Sequence, residues 1–286
     1  MPIPDSMLGR WSHHYSGEAP KQSQLSIRDA LDRYTGWFDD TEYKVFLQGS
    51  YKNDTNLRQD SDVDVVVQLA SRLRPRVAAL DGTQLQEDQS HKISHERWNS
   101  FRKQVLKALR ATYGADVVTT GRKSLKLSKG DLPASADVVV TLRCGIGLAF
   151  YLSDEHRWVI SYPQQHHTRG VKKERSTENR YKRTIRMFKA ARNYLVKNGV
   201  ISAGTASSYF IECLLYNVPN GLFKSSFGQS YSSIVDYLIT TDLQRFLCQN
   251  GVRELFGPPK DLWNVNKARE FIQALRKLWE NWPESA

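Results

Sequence analysis

The feature that most constrains this chain is a short alternating run, Asp62–Val63–Asp64–Val65–Val66–Val67, that begins after an eleven-residue interval following Gly49–Ser50. β-Branched residues interleaved with carboxylates suit a strand with one packed face, and residues two apart on a strand share a side. Asp62 and Asp64 therefore point the same way, while Val63 and Val65 point into packing. Two neighbouring carboxylates repel each other unless a cation lies between them. Magnesium suits such a pair, because it takes oxygen ligands and keeps coordination positions for substrate phosphates. A solvated strand end is the other reading of an isolated Asp-x-Asp. Just upstream, the apolar run Tyr43 to Gln48 reads as a buried strand that stops at Gly49. Gly49–Ser50 can then open a helix or tight turn, where backbone N–H groups and the Ser hydroxyl can hold a triphosphate.

Asp137 stands at the front of a further β-branched run, Ala136–Asp137–Val138–Val139–Val140. A third carboxylate there would complete a two-metal site, in which one ion activates a hydroxyl and the other steadies a leaving pyrophosphate. Between these runs, His95 opens a helical pattern through Phe101, Val105, Leu109 and Tyr113, ended by Gly114. Asp116–Thr120, Gly147–Leu152 and Trp158–Tyr162 read as further strands. The first 24 residues lack periodicity and are expected to form an irregular arm, with Ser26 capping a helix that carries Ile27, Leu31 and Tyr34. From Glu178 onward the pattern is helical. Tyr181, Ile185, Phe188 and Leu195 form its buried side, and Lys182, Arg186 and Lys189 form a basic edge suited to phosphate. The expected division is a mixed-sheet unit over residues 1–170, including the arm, and a helical unit over 171–286.

The chain has 286 residues and a formal charge of +11, a field that draws in phosphates without choosing among nucleotides, nucleic acid and anionic membranes. The densest basic group is Lys172 to Arg192. The most apolar window, Ala136 to Leu152, contains Asp137 and Arg143, so no membrane span is expected. The start carries no basic and apolar leader pattern, and Cys144, Cys213 and Cys248 form no CxxC pair. A cytoplasmic protein without disulfides or a zinc ribbon is expected, with the three cysteines acting as small buried apolar residues. Adjacent His166–His167 reads as a solvent-facing pair in a polar loop, and Glu212 as a structural ion-pair partner. Asp60–Ser61–Asp62–Val63–Asp64 lacks the Gly and Glu that a calcium loop needs, and Gly145–Ile146–Gly147 lacks the third Gly of a dinucleotide loop.

Taken together, Phe46–Leu47–Gln48–Gly49–Ser50–Tyr51, Thr55–Asn56, Ser61–Asp62–Val63–Asp64–Val65–Val66–Val67 and Asp137 resemble the polymerase-β-like nucleotidyltransferases. Within them the chain is similar to the bacterial CD-NTases, relatives of cyclic GMP–AMP synthase and oligoadenylate synthetase. Clade E in particular is resembled by Pro2–Ile3–Pro4–Asp5–Ser6, Trp11–Ser12–His13, Tyr162–Pro163, Gly170–Val171–Lys172, Phe188–Lys189 and Arg192–Asn193. Ser208–Tyr209–Phe210–Ile211–Glu212–Cys213 and Tyr216–Asn217–Val218–Pro219 extend that likeness. The resemblance implies an α+β, two-lobed fold with a mixed-sheet N-terminal lobe and a helical C-terminal lobe. It implies a cyclic dinucleotide synthase that joins two NTPs, ATP, UTP or others, with release of pyrophosphate, to make a second messenger in anti-phage (CBASS) defence.

Residue by residue, the resemblance implies that Asp62, Asp64 and Asp137 are catalytic and bind two Mg²⁺ ions, with Mn²⁺ as a substitute. Gln48, Gly49 and Ser50 would hold the donor nucleotide, and Lys189 and Ser208 would reach its outer phosphates. Where clade E relatives often carry an Asn before the Gly of the nucleobase-contacting segment, this chain reads Thr168–Arg169–Gly170. The resemblance further suggests a monomer controlled by a regulatory protein or a phage-derived activator, with a nucleic-acid activator at Lys172, Lys173 and Arg175 as an alternative. The same carboxylates would also serve a linear nucleotidyltransferase that extends RNA. A catalytically inactive relative acting as an RNA-binding sensor is the third reading.

Overall fold

The architecture is that of a computed structural model, which describes residues 1–14, 17–38, 41–57, 62–70, 89–130, 132–258 and 262–283. The chain divides into two compact units. A strand unit comprises Ser16–Lys52 and Gln59–Pro163, and a helical unit comprises Met1–Tyr15, Asn53–Arg58 and Gln164–Ala286. This corrects the expected boundary. The seam falls after Pro163, and residues 1–15 and 53–58 group with the helices, while the rest of the expected arm, from Ser16, groups with the strands.

The strand unit is built on a seven-stranded sheet. Strands β1 (Tyr43–Leu47), β2 (Val63–Leu69), β5 (Ala136–Cys144), β4 (Leu125–Leu127) and β3 (Val118–Thr120) lie side by side in that order. The far end of β5 pairs with β6 (Gly147–Leu152), which pairs in turn with β7 (Arg157–Ser161). Among the described strands of this sheet only β2 and β5 pair in parallel, a pairing that requires a long crossover, and helix α4 (Gln89–Tyr113) lies within it. Alternation places Val63, Val65, Val67 and Leu69 of β2 with Val138, Val140 and Leu142 of β5 on the covered side. Ile27, Ala30 and Leu31 of α2 (Ala19–Asp32) and Trp98, Phe101, Val105 and Leu109 of α4 cover them. The Trp98 indole donates to the Val140 carbonyl at 2.9 Å, which satisfies its one polar atom inside this core.

Two elements were not expected. The first 24 residues are not irregular: α1 spans Asp5–Trp11, and α2 starts at Ala19, with Pro20 in its first turn. The segment around His166–His167 is the helix α5 (Pro163–Ser176), and there His166 is buried rather than solvent-facing. The five-residue helix α3 (Gly49–Asn53) opens at Gly49, where the sequence allowed a helix or tight turn. Asp60 and Ser61 lie outside the described residues.

The helical unit gathers around α6 (Tyr181–Lys197), whose predicted stripe of Tyr181, Ile185, Phe188 and Leu195 is fully buried. Helices α7 (Ser208–Tyr216), α8 (Phe227–Thr240) and α9 (Val265–Glu280) complete its core through Phe210, Tyr231, Phe271 and Leu275. All three cysteines are free and buried, as their apolar reading implies. Among the described residues, no helix is long and apolar enough to cross a membrane.

Candidate functional site

The sheet assembles its polar residues at one end. β2 and β5 are registered so that Asp64 lies directly opposite Asp137, on the side of the sheet that Val63, Val65 and Val138 leave free. Adjacent strands sit about 4.8 Å apart, so the two carboxylates are cross-strand neighbours, an arrangement that like charges disfavour without a cation. Gln48 extends the row, its backbone N–H donating to the Asp64 carbonyl at 2.9 Å. On the other flank Lys126 of β4 lies opposite Asp137.

Gly49 shows why the residue after this row has no side chain. Its φ of +69° lies in the left-handed region, and a Cβ there would stand 2.0 Å from Asp64 Oδ2. The absence of that one carbon leaves room for the Asp64 carboxylate beside the first turn of α3, where Ser50 follows.

Asp62 behaves differently from its two partners. It lies one residue before β2, is exposed, and accepts a hydrogen bond from the Ser135 hydroxyl. Among the described residues, no group of three His, Cys, Asp or Glu side chains gathers as a ready metal cluster. Asp64 and Asp137 thus stand abreast in the register, and Asp62, two residues before Asp64, is hydrogen-bonded to Ser135. The pair still suits Mg²⁺: both donors are hard oxygens, and magnesium is commonly held by one or two carboxylates plus substrate phosphates.

Sequence reasoning missed two hydroxyls at this end of the sheet. Buried Ser124 donates to Asp137 Oδ1 at 3.1 Å, and Ser135 donates to Asp62. Ser124 precedes β4, a three-residue strand too short for its alternation to stand out, although Leu125–Lys126–Leu127 carries the right pattern.

Lys189 and Ser208 belong to the helical unit, and there Lys189 departs from expectation. It does not form an open basic edge: it is 2% exposed, and its ammonium donates to Glu212 Oε1 at 2.6 Å, the Thr55 carbonyl at 3.0 Å and Thr55 Oγ1 at 3.2 Å. All three of its N–H bonds are thus engaged. Glu212 also meets His166 Nε2 at 2.6 Å and accepts from Thr55 Oγ1 at 2.6 Å. Burial opposes ionisation of this carboxyl, yet the charge of Lys189 and the hydrogen bond from His166 hold it well below the usual carboxylate range.

The rest of the predicted basic edge is likewise occupied. Lys182 Nζ pairs with Asp54 Oδ2 at 2.7 Å, and Arg186 donates to the carbonyls of Ser12 and Asp54. A charged row at helical spacing here ties segments of one unit together. Lys173, placed by sequence on a nucleic-acid surface, is also buried. It donates to the Val218 carbonyl at 2.7 Å among the rings of Tyr181, Tyr216 and Phe223, and burial pushes its ammonium down to about 8. Ser208 is exposed at the first position of α7, whose N-cap is Ser207.

Residues 168–280 match the C-terminal helical domain of cGAS/DncV-like nucleotidyltransferases. The cyclic UMP-AMP synthase of Rhodothermus marinus is 42% identical, over 99% of this chain and 99% of that protein. The cyclic nucleotide synthase CdnE01 of Staphylococcus haemolyticus is 31% identical, over 99% of this chain and all of its own length. Among solved structures, the Rhodothermus marinus CdnE c-UMP-AMP synthase with Apcpp and Upnpp superposes with a TM-score of 0.83 at 40% identity, covering 100% of this chain and 99% of its own. The Elizabethkingia meningoseptica CdnE with GTP and Apcpp gives a TM-score of 0.76 at 26% identity, over 95% of this chain and 97% of that one. With 42% identity over nearly the whole chain to one such enzyme and 31% to another, the chain belongs to the cGAS/DncV-like nucleotidyltransferases, and among them to the clade E enzymes called CdnE.

Proposed function

We propose that this enzyme makes a cyclic dinucleotide from UTP and ATP, as a second messenger in bacterial anti-phage defence. The observation that carries the chemistry is the registered pair Asp64 and Asp137, with Gly49 clearing the space beside it. The choice of nucleobases rests on 42% identity, over nearly the whole chain, to a protein named for uridine and adenosine. Relatives at 26–30% identity are named for other base combinations, so the base assignment follows the greater similarity.

In this reading a ribose hydroxyl of one nucleotide attacks the α-phosphorus of the other. A P–O bond forms, the bond to pyrophosphate breaks, and the hydroxyl proton is lost. A second such step closes the ring and releases a second pyrophosphate. Asp64 and Asp137, joined by Asp62, would hold Mg²⁺, which when bound acidifies the attacking hydroxyl and neutralises the leaving pyrophosphate. The chain's own groups do the placing. Gly49 and Ser50 receive the donor triphosphate, Gln48 lies beside Asp64, and Ser124 fixes the rotamer of Asp137. Most of the acceleration comes from that in-line placement.

The test is to incubate the purified protein with Mg²⁺ and each labelled NTP, singly and in pairs, and then with phosphatase. A phosphatase-resistant product that needs both UTP and ATP is expected. A resistant product containing other bases overturns the base assignment. A phosphatase-sensitive linear product overturns ring closure, and NTPs left intact overturn the catalytic reading as a whole.

A further inference from the structure

The polar row at the head of the sheet does not end at its carboxylates. Backbone pairing carries it on: Gln48 beside Asp64, Asp64 opposite Asp137, Asp137 opposite Lys126, and Lys126 opposite Thr119 of β3. Residues paired across a sheet share a face. Burial agrees, since Leu125 and Leu127 sit in the core on the covered side while Lys126 between them is exposed.

The stem of Lys126 turns toward the link between β3 and β4, where a Cβ built on Gly121 would stand 3.2 Å from Lys126 Cε and 3.5 Å from its Cγ. The Gly121 N–H donates to the Ser124 carbonyl at 2.8 Å, and the Ser124 hydroxyl in turn donates to Asp137 Oδ1 at 3.1 Å. The lysine stem and the Asp137 carboxylate thus meet the same short link. Arg122, in that link, is occupied by Asp154 at 2.6 Å and by Glu155. Lys126 makes no ion pair among the described residues, so its charge acts through space on the row beside it.

We propose that Lys126 is the fixed counter-ion of the Asp64–Asp137 pair: it offsets their repulsion in the metal-free protein, and it is the charge that an incoming divalent cation works against. The proposal rests on the nucleotidyltransferase reading above and names the residue that sets how tightly those carboxylates take a metal. One ammonium beside two carboxylates leaves the row negative, so it attracts a divalent ion but holds it loosely. A triphosphate brings the further oxygens and negative charge that complete such an ion's coordination. Metal loading is thereby tied to nucleotide loading.

The experiment titrates Mn²⁺, read by electron paramagnetic resonance, into the nucleotide-free full chain of wild type, K126Q, K126R and K44Q, at low and high salt. Each protein is also melted in EDTA and in Mn²⁺. Lys44 is the charge-matched control, exposed on the same sheet but opposite Gln68, further along β2. K126Q should bind Mn²⁺ roughly three- to tenfold more tightly at low salt, the scale of one unit charge acting on a nearby divalent ion, and salt should shrink the gain. It should melt below wild type in EDTA and recover in Mn²⁺, while K126R and K44Q follow wild type in both. Mn²⁺ affinity of K126Q equal to wild type overturns the proposal. So does equal tightening in K44Q, which would reduce the effect to net charge, or a melting loss in K126Q that Mn²⁺ leaves unchanged. Mn²⁺ binding that survives D64N with D137N overturns it too, by placing the ion elsewhere. Tighter binding by K126Q, in a protein whose wild type forms no cyclic product, would instead sink the functional reading and leave this assignment standing.

Discussion

Asp137 stands at the head of a strand beside a second carboxylate, Asp64, with the Ser124 hydroxyl as hydrogen-bond donor, whereas Glu212 is enclosed by Lys189, His166 and Thr55. The strand unit sets like charges next to each other where both are only half-buried. The helical unit sets opposite charges together where both are buried. Two carboxylates set side by side mark a place where a cation or substrate completes the arrangement. A carboxylate that the fold compensates fully marks a place where chain segments are tied together.

The sharpest way to break this contrast is to remove charge from each unit and read both turnover and stability. D64N combined with D137N should lower nucleotide turnover by ~10³-fold or more, since the metal-assisted stabilisation is worth several kcal/mol. Its melting temperature should hold or rise, because the change relieves like-charge repulsion. A folded double variant that turns over at the wild-type rate would end the catalytic assignment.

K189M should do the opposite to the fold. Removing one partner of a buried ion pair costs about 3–5 kcal/mol, and adding E212Q should restore part of that loss, as for coupled neighbours. Glu212 also sets a pH dependence. Its carboxyl sits lower in the folded chain than the ordinary 4.5, so its stabilisation is present above that value and fades as pH falls below it. Urea titrations across this window should show an acid-side loss of stability that E212Q lacks. An E212Q protein with an unchanged acid slope would contradict the enclosed-charge account.

The smallest expected effect concerns Ser124. S124A should lower kcat about fivefold, the equivalent of roughly 1 kcal/mol for one hydrogen bond, with KM unchanged because the hydroxyl touches Asp137 and not the substrate. A change in KM alone would move Ser124 from positioning the carboxylate to binding.

Much of the strand unit was legible because its signals are local. Val63 to Leu69 and Ala136 to Leu142 are β-branched runs bounded by polar residues, and Gly147–Leu152 matched its strand to the residue. The α5 segment was not legible: Gln, His, Lys and Arg dominate it, and its buried positions, His166, Gly170 and Lys173, look polar in isolation. Lys189 shows the deeper limit. Spacing along α6 correctly placed it near Lys182 and Arg186 in one row, but whether a row of cations faces ligand or protein depends on acids elsewhere in the chain. Glu212 was read as an ion-pair partner, and only the packing of α6 and α7 supplied Lys189 as its mate.

The parallel pairing of β2 with β5 carries one more consequence. Asp64 and Asp137 are brought abreast solely by that long-range seam, so neither stretch of chain, taken alone, holds any part of the chemistry beyond a single acid. Closing such a seam comes late and cooperatively in assembly. A newly made or heat-damaged molecule that has not zipped these two ribbons lacks the paired acids, so turnover would double as a report that the sheet is whole.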